Sequence, residues 1–293
     1  MLPGASTNNS IYQSNPQHYG YKWGKSEMIH YSDSNGNQLQ GALFYPSRYE
    51  PGKKYPMIVY IYQSMSGRLR QYKNPSVYSQ DGFNHTNYTL DGYFVLLPDI
   101  YYEIGNPGKS ARDCITAAVD TVLTKGDVDG KRMGLIGHSF GGYETNLVIG
   151  LTDIFAAAVS GAGISDTVGW YFTIGQDTME PEAWRFENQQ FRMGKSFYEN
   201  KKGYIDNSPI MHAGAIRTPL LLWCGKEDTA VDMRQSIAMH LALRRLNKKN
   251  ALLAYPGQGH AITDKQLQKD LSIKIKEWFS HFLQGGKAPD WGE

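Results

Sequence analysis

Short, continuously apolar runs most constrain how this chain can fold: Pro56–Tyr62, Tyr93–Pro98, Arg132–Gly137, Ala156–Ser160, Pro219–Cys224 and Ala251–Tyr255. A strand wetted on one side alternates apolar and polar residues, whereas these runs suit parallel strands buried on both faces. Parallel strands need crossovers, and Lys109–Lys125, Gly141–Leu151, Asp232–Asn247 and Asp264–Leu283 have the helical period to supply them. In the last, Leu267, Leu271, Ile275, Trp278 and Phe282 make one apolar stripe. Thr263 with Gln266 reads as its capping box, and Gly285-Gly286 stops it. Upstream, Met28–Tyr31 and Gln38–Tyr45 flank the turn signal Ser34-Asn35-Gly36-Asn37, which predicts an antiparallel hairpin. The predicted fold class is α/β: a mostly parallel, doubly wound sheet led by a hairpin.

A chain of 293 residues can bury one large core. The expected division is a polar lead over 1–27, a single domain over 28–286 and a tail over 287–293. The net charge of +2 is too balanced to suggest a nucleic-acid or anionic-membrane surface. That leaves a peptide or small molecule as the expected partner. No run approaches the ~18 apolar residues that span a bilayer. Residues 1–20 lack the basic and apolar regions of a signal peptide, a start that fits a soluble chain or the cut end of an exported one. Cys114 and Cys224 read as packing residues, and no cluster has metal-ligand spacing, so neither metal nor cofactor is expected. Asn8, Asn84 and Asn87 begin sequons that matter only in a glycosylating pathway.

One stretch breaks the alternation. Residues 166–207 hold Trp170, Tyr171, Phe172, Trp184, Phe186, Phe191, Phe197, Tyr198 and Tyr204 without a strand pattern, as a helical insertion would. It leaves the sheet at a strand's carboxyl end, where open α/β sheets bind ligands, so it can wall a site or simply pack its aromatics onto the body.

Gly137-His138-Ser139-Phe140-Gly141 matches the G-x-S-x-G nucleophile elbow. The turn from strand to helix is so sharp that the serine is strained and only glycines fit around it. A predicted strand before it and a predicted helix after it supply the context the motif requires. A serine hydroxyl needs a base, and the base needs a carboxylate to hold its tautomer, in the order Ser, acid, His for an α/β-hydrolase. Asp228 follows the run ending at Cys224, and His260 follows the run ending at Tyr255, so both loops lie at the same sheet edge as Ser139. Glu227 and Asp232 are alternative acids, Asp232 being more simply a helix amino-terminal residue. Among the eight histidines, His138 is too constrained within the elbow, His85 and His212 break the order, and His240 and His281 fall on helices.

These residues resemble the catalytic domain of the prolyl oligopeptidase family of serine peptidases, from about Lys53 to Leu283. The marks are Lys54-Tyr55-Pro56, Gly92-Tyr93, Pro98-Asp99, residues 137–143, Asn207-Ser208-Pro209-Ile210, Thr218-Pro219, Gly225 with Asp228 and Val231, and Gly259-His260. The resemblance implies an α/β-hydrolase fold and a Ser139, His260, Asp228 triad. It also implies an oxyanion hole made by the Tyr62 hydroxyl and the Phe140 N–H, with Tyr60 an alternative to Tyr62. Phe140 and Val231 match positions lining an apolar pocket for proline, alanine or a similar side chain, and Trp170 falls near an aromatic one. Two departures stand out. Only about 50 residues precede the match, so the β-propeller of full-length relatives is absent from this stretch, as in an excised domain or a compact relative. Glu144 puts a charge in the elbow helix, either exposed or facing Arg185 or Arg192.

The expected function is a serine peptidase acting through an acyl-enzyme. A carboxylesterase acting on acetyl, feruloyl or other small acyl esters shares every group named, and a non-catalytic scaffold has no use for them together.

Overall fold

A computed structural model describes residues 14–20 and 22–291 of the chain. The strands are β1 (Ser26–Ser32), β2 (Gln38–Phe44), β3 (Tyr55–Ile61), β4 (Phe94–Pro98), β5 (Val128–His138), β6 (Ala157–Gly161), β7 (Leu220–Gly225) and β8 (Asn250–Tyr255). They form one eight-stranded sheet in the order β1-β2-β4-β3-β5-β6-β7-β8. β1 pairs antiparallel with β2, and β2 antiparallel with β4, while every pair from β4 to β8 is parallel. The hairpin turn is held by Asp33, whose Oδ1 accepts from the N–H groups of Asn35 and Asn37 at 2.9 Å, and Gly36 supplies a positive φ of 82°.

The helices are α1 (His85–Leu90), α2 (Pro107–Leu123), α3 (Phe140–Leu151), α4 (Thr167–Tyr171), α5 (Ala183–Glu187), α6 (Lys201–Asp206), α7 (Arg234–Arg245) and α8 (Lys265–Gln284). They divide between the faces of the sheet as the pleat dictates. Met57, Val59 and Ile61 of β3 face a core shared with Cys114 and Val119 of α2, Val148 of α3 and Leu243 of α7. Ile58 and Tyr60 face the other core, with Tyr88 of α1 and Leu271, Ile275, Trp278 and Phe279 of α8. Each large apolar side chain so buried contributes roughly 1.5–3 kcal/mol, and Trp278 also donates its Nε1–H to the Ala158 carbonyl at 3.1 Å. This is the α/β-hydrolase arrangement the sequence predicts.

Two local expectations, both in α8, are corrected. The cap of α8 is Asp264, whose side chain accepts from the N–H groups of Gln266 and Leu267, while the Thr263 N–H donates to Gln258. The stripe of α8 is also rotated: Phe279 and Leu283 are fully buried, whereas Leu267 and Phe282 are only partly covered. Burial pushes both free thiols, Cys114 and Cys224, up to about 11. Asn84 is buried as the cap of α1 and Asn87 binds both backbone groups of Ser76; Asn8 lies outside the described residues. No described helix is long and apolar enough to cross a membrane.

Candidate active site

Ser139 stands between β5 and α3 with φ 60° and ψ −120°, a conformation that costs a non-glycine residue on the order of 1–3 kcal/mol. Close packing enforces it. A Cβ on Gly137 would meet the Gly141 carbonyl at 2.2 Å, and one on Gly141 would meet the Ile61 carbonyl at the same distance. The Ser139 N–H is tied to the Gly161 carbonyl at 2.8 Å.

The three chain segments named from the sequence converge here. His260 Nε2 lies 2.8 Å from Ser139 Oγ, and His260 Nδ1 lies 2.8 Å from Asp228 Oδ2. A carboxylate only accepts, so Nδ1 carries the proton, and Nε2 is left to accept from the serine hydroxyl. Asp228 is buried, and its Oδ1 accepts from the N–H groups of Ala230 and Val231 at 2.9 Å. The alternative acids are engaged elsewhere: Glu227 accepts from the Gln258 N–H, and Asp232 pairs with Arg234 at the start of α7.

His138, set aside in the sequence as too constrained to reach its neighbour, has a different place. Its ring stacks on Trp223 with centroids 5.1 Å apart, and its Nε2–H donates to the His260 carbonyl at 2.8 Å. Loss of water around the ring, and then the neighbouring His260, hold its pKa below the ordinary imidazole range.

Tyr60 and Tyr62 part company. The Tyr60 hydroxyl donates to Asp81 Oδ2 at 2.8 Å, whereas the Tyr62 hydroxyl accepts from Gln190 Nε2 at 3.1 Å and keeps its own proton to give. Gln190 belongs to the 166–207 stretch, which carries α4, α5 and α6. Phe140, Trp170 and Val231 fall in one buried cluster there, with Tyr143, Phe186 and Phe191. Phe172 and Tyr198 of that stretch stay exposed.

Glu144 is fully buried, not exposed, and neither Arg185 nor Arg192 pairs with it. Its carboxyl meets the Tyr102 hydroxyl, which also lies 2.9 Å from the Tyr62 carbonyl, and Arg192 sits over the Tyr102 ring at 4.5 Å. Burial pushes the Glu144 carboxyl well above its usual range, only partly offset by Tyr102 and Arg192. A neutral Glu144 can donate to Tyr102, which then donates to the Tyr62 carbonyl. The sequence could not show this, because the outward face of α3 is covered by segments far away in the chain.

A cavity of about 510 Å³ opens beside Ser139 and His260, walled by Tyr60, Tyr62, Asp81 and His138. Among the described residues, no group of three or more His, Cys, Asp or Glu side chains could hold a metal ion.

Residues 103–286, well over half the chain and including Ser139, Asp228 and His260, match the profile of the prolyl oligopeptidase family. The chain belongs to that family. It is 26% identical over 274 residues to an uncharacterized peptidase, YuxL, of Bacillus subtilis, a match covering 88% of this chain and 39% of that protein. It is 25% identical over 272 residues to dipeptidyl-peptidase 5 of Porphyromonas endodontalis, covering 86% of this chain and 36% of that one. The chain thus spans well under half the length of these relatives. Among solved structures, the fold superposes on acylaminoacyl peptidase of Pyrococcus horikoshii with a TM-score of 0.73 at 20% identity, covering 93% of this chain and 44% of that one. On dipeptidyl peptidase 4 of Porphyromonas gingivalis the TM-score is 0.75 at 20% identity, with 91% and 37% covered.

Proposed function

We propose that this member of the prolyl oligopeptidase family is a serine peptidase in which Ser139 is the nucleophile, His260 the general base and Asp228 the group that orients it. The observation that carries the reading is the pair of 2.8 Å contacts from His260, one to Ser139 and one to buried Asp228. Ser139 Oγ attacks the scissile carbonyl carbon as its proton passes to His260 Nε2. The carbonyl oxygen becomes an oxyanion, for which the Tyr62 hydroxyl and the Phe140 N–H are the proposed donors. Collapse breaks the C–N bond, and the leaving amine takes the proton from Nε2. Water then gives a proton to Nε2 and attacks the ester, which frees the acid and restores Ser139.

The catalytic unit is read as 28–286, with 166–207 as its cap. The acyl side chain is assigned to the surroundings of Phe140, Trp170 and Val231, whose apolar character favours a small apolar residue. The names of relatives, dipeptidyl-peptidase and acylaminoacyl peptidase, favour peptides over esters. The test is labelling by a fluorophosphonate with mass mapping of the adduct, in wild type and Ser139→Ala. It is followed by parallel kinetics on alanyl or prolyl anilides and a short-chain nitrophenyl ester. Labelling at Ser139 with amide cleavage supports the reading; ester turnover without amide cleavage on any peptide would replace it with a carboxylesterase.

A further inference from the structure

The cavity beside Ser139 contains two cations that the proposed chemistry does not use. Arg68 and Lys73 both line it, with Tyr78 and Ser79 nearby. Among the described residues, neither side chain is within ion-pair distance of a carboxylate. The Arg68 guanidinium lies over the Tyr60 ring, 6.0 Å from its centroid, and Lys73 Nζ makes one long contact of 3.4 Å with the Phe83 carbonyl. The one carboxylate in the wall, Asp81, accepts on Oδ1 from the Ser79 hydroxyl and the Phe83 N–H and on Oδ2 from the Tyr60 hydroxyl; Lys73 feels its charge, but one carboxylate offsets only one of the two cations. The cavity therefore carries a net positive field. Burial, and then Lys73 and Arg68, lower the pKa of His85 to about 4.

The backbone that carries Arg68 is also held in place. It sits in a short 3-10 turn, Ser66–Arg70, whose start is pinned by Asp99: Oδ1 accepts from the N–H groups of Met65 and Ser66 at 2.6 and 2.7 Å, and Oδ2 from the Ser66 hydroxyl at 2.6 Å. A pinned backbone lowers the entropic cost of presenting a guanidinium to a ligand.

The direction of the cavity follows from the proton path. The leaving amine takes its proton from His260 Nε2, so it departs on the side that His260 borders. His260 and Ala261 line the cavity, whereas Phe140, Trp170 and Val231 do not. Acyl and leaving halves thus have separate surroundings.

We propose, resting on the peptidase reading above, that Arg68 and Lys73 form a carboxylate-binding subsite for the leaving half of the substrate. Its ligand is a carboxylate within about two residues of the scissile bond, supplied by a free C-terminus or by an acidic side chain. Charge-assisted hydrogen bonds from a guanidinium and an ammonium are the strong kind; Lys73 is half-buried and so less screened than the exposed Arg68.

The test uses peptides that share an Ala-Ala acyl half and differ in the leaving half: Ala-Gly with a free carboxylate, Ala-Gly carboxamide, Ala-Glu carboxamide and Ala-Lys carboxamide. Cleavage at the bond between the halves is followed by mass spectrometry. For wild type, kcat/KM for a carboxylate-bearing leaving half should exceed that for the Ala-Gly carboxamide by about tenfold or more, the order expected of a hydrogen bond to a charged group. Preference for the free carboxylate identifies a C-terminal subsite, and preference for Ala-Glu carboxamide an acidic side-chain subsite. The ratio should fall toward one in Arg68→Gln with Lys73→Gln and persist in Arg68→Lys; being a ratio, it is insensitive to the fraction of folded enzyme. Equal rates across the set, or a preference for Ala-Lys carboxamide, would overturn the proposal. Calorimetric binding of the same peptides to Ser139→Ala measures the charge preference without turnover, so a failed peptidase reading and a failed subsite give different results.

Discussion

Replacing Tyr62 by phenylalanine removes one hydroxyl and leaves the ring, which meets Phe140 edge-on at 6.4 Å, in its packing. The hydroxyl accepts from Gln190 Nε2 at 3.1 Å, which occupies a lone pair and leaves the O–H proton to be given to the reacting oxygen. If Tyr62 is one of two oxyanion donors, its loss should lower kcat by roughly 10²–10³-fold, about 2.7–4 kcal/mol, with little change in KM. Gln190→Leu removes only the bond that polarises the phenol, and an uncharged hydrogen bond of about 1 kcal/mol predicts a loss of about fivefold. The two should not add: in the Tyr62→Phe background, Gln190→Leu has nothing left to act on. The assay is steady-state hydrolysis of an aminoacyl anilide, with active enzyme counted by fluorophosphonate titration and folding checked by circular dichroism. A Tyr62→Phe enzyme within about fivefold of wild type would refute the oxyanion assignment. Additive losses would refute the coupling through Gln190.

Asp228→Asn should lower kcat by about 10⁴-fold. The Ala230 and Val231 N–H groups claim the amide oxygen, which turns the NH₂ toward His260 Nδ1 and forces the tautomer that cannot accept the serine proton. Gly141→Ala drives a Cβ into the Ile61 carbonyl, so soluble expression or thermal stability should collapse, read by melting. His85, stacked on Phe44, is neutral in the native state with a pKa of about 4, below its ordinary 6.5. The unfolded chain binds that proton more readily, so stability is lost as pH falls from about 6.5 toward 4, by on the order of 3 kcal/mol. His85→Phe should flatten the slope of urea midpoints over that window. Glu144 has the opposite sign: its native pKa is raised, so stability present below about 4.5 is lost as pH rises. Melts of Glu144→Gln against wild type should therefore favour the variant more at pH 8 than at pH 5.

The sheet and the meeting of Ser139, Asp228 and His260 were legible because each depends on a local pattern. Apolar runs mark the strands, the elbow needs its glycines, and parallel strands deliver their following loops to one edge. What surrounds them was not legible. Gln190 reaches Tyr62 across 128 positions, and His138 reaches the His260 carbonyl across 122, with no spacing rule to announce either. Glu144 looked anomalous only as a charge in an apolar helix; its partner Tyr102 comes from the loop after β4. Arg68 and Lys73 lie in a polar loop whose composition is ordinary. α1 is too short to show a period, and the Asp264 cap was masked by a competing capping-box pattern one residue earlier.

The grip of the elbow on the base loop determines how the site behaves at rest. Adjacent residues hold His260 by different handles, His138 by its main chain and Ser139 by its ring. Movement of the β8–α8 loop away from the elbow strains both contacts together. On the proposed reading the enzyme is armed before substrate arrives and needs no induced fit to assemble its base. Such a site would react with a covalent phosphonate whenever one reached it, and what restrains it is access through the cavity mouth rather than assembly of the triad.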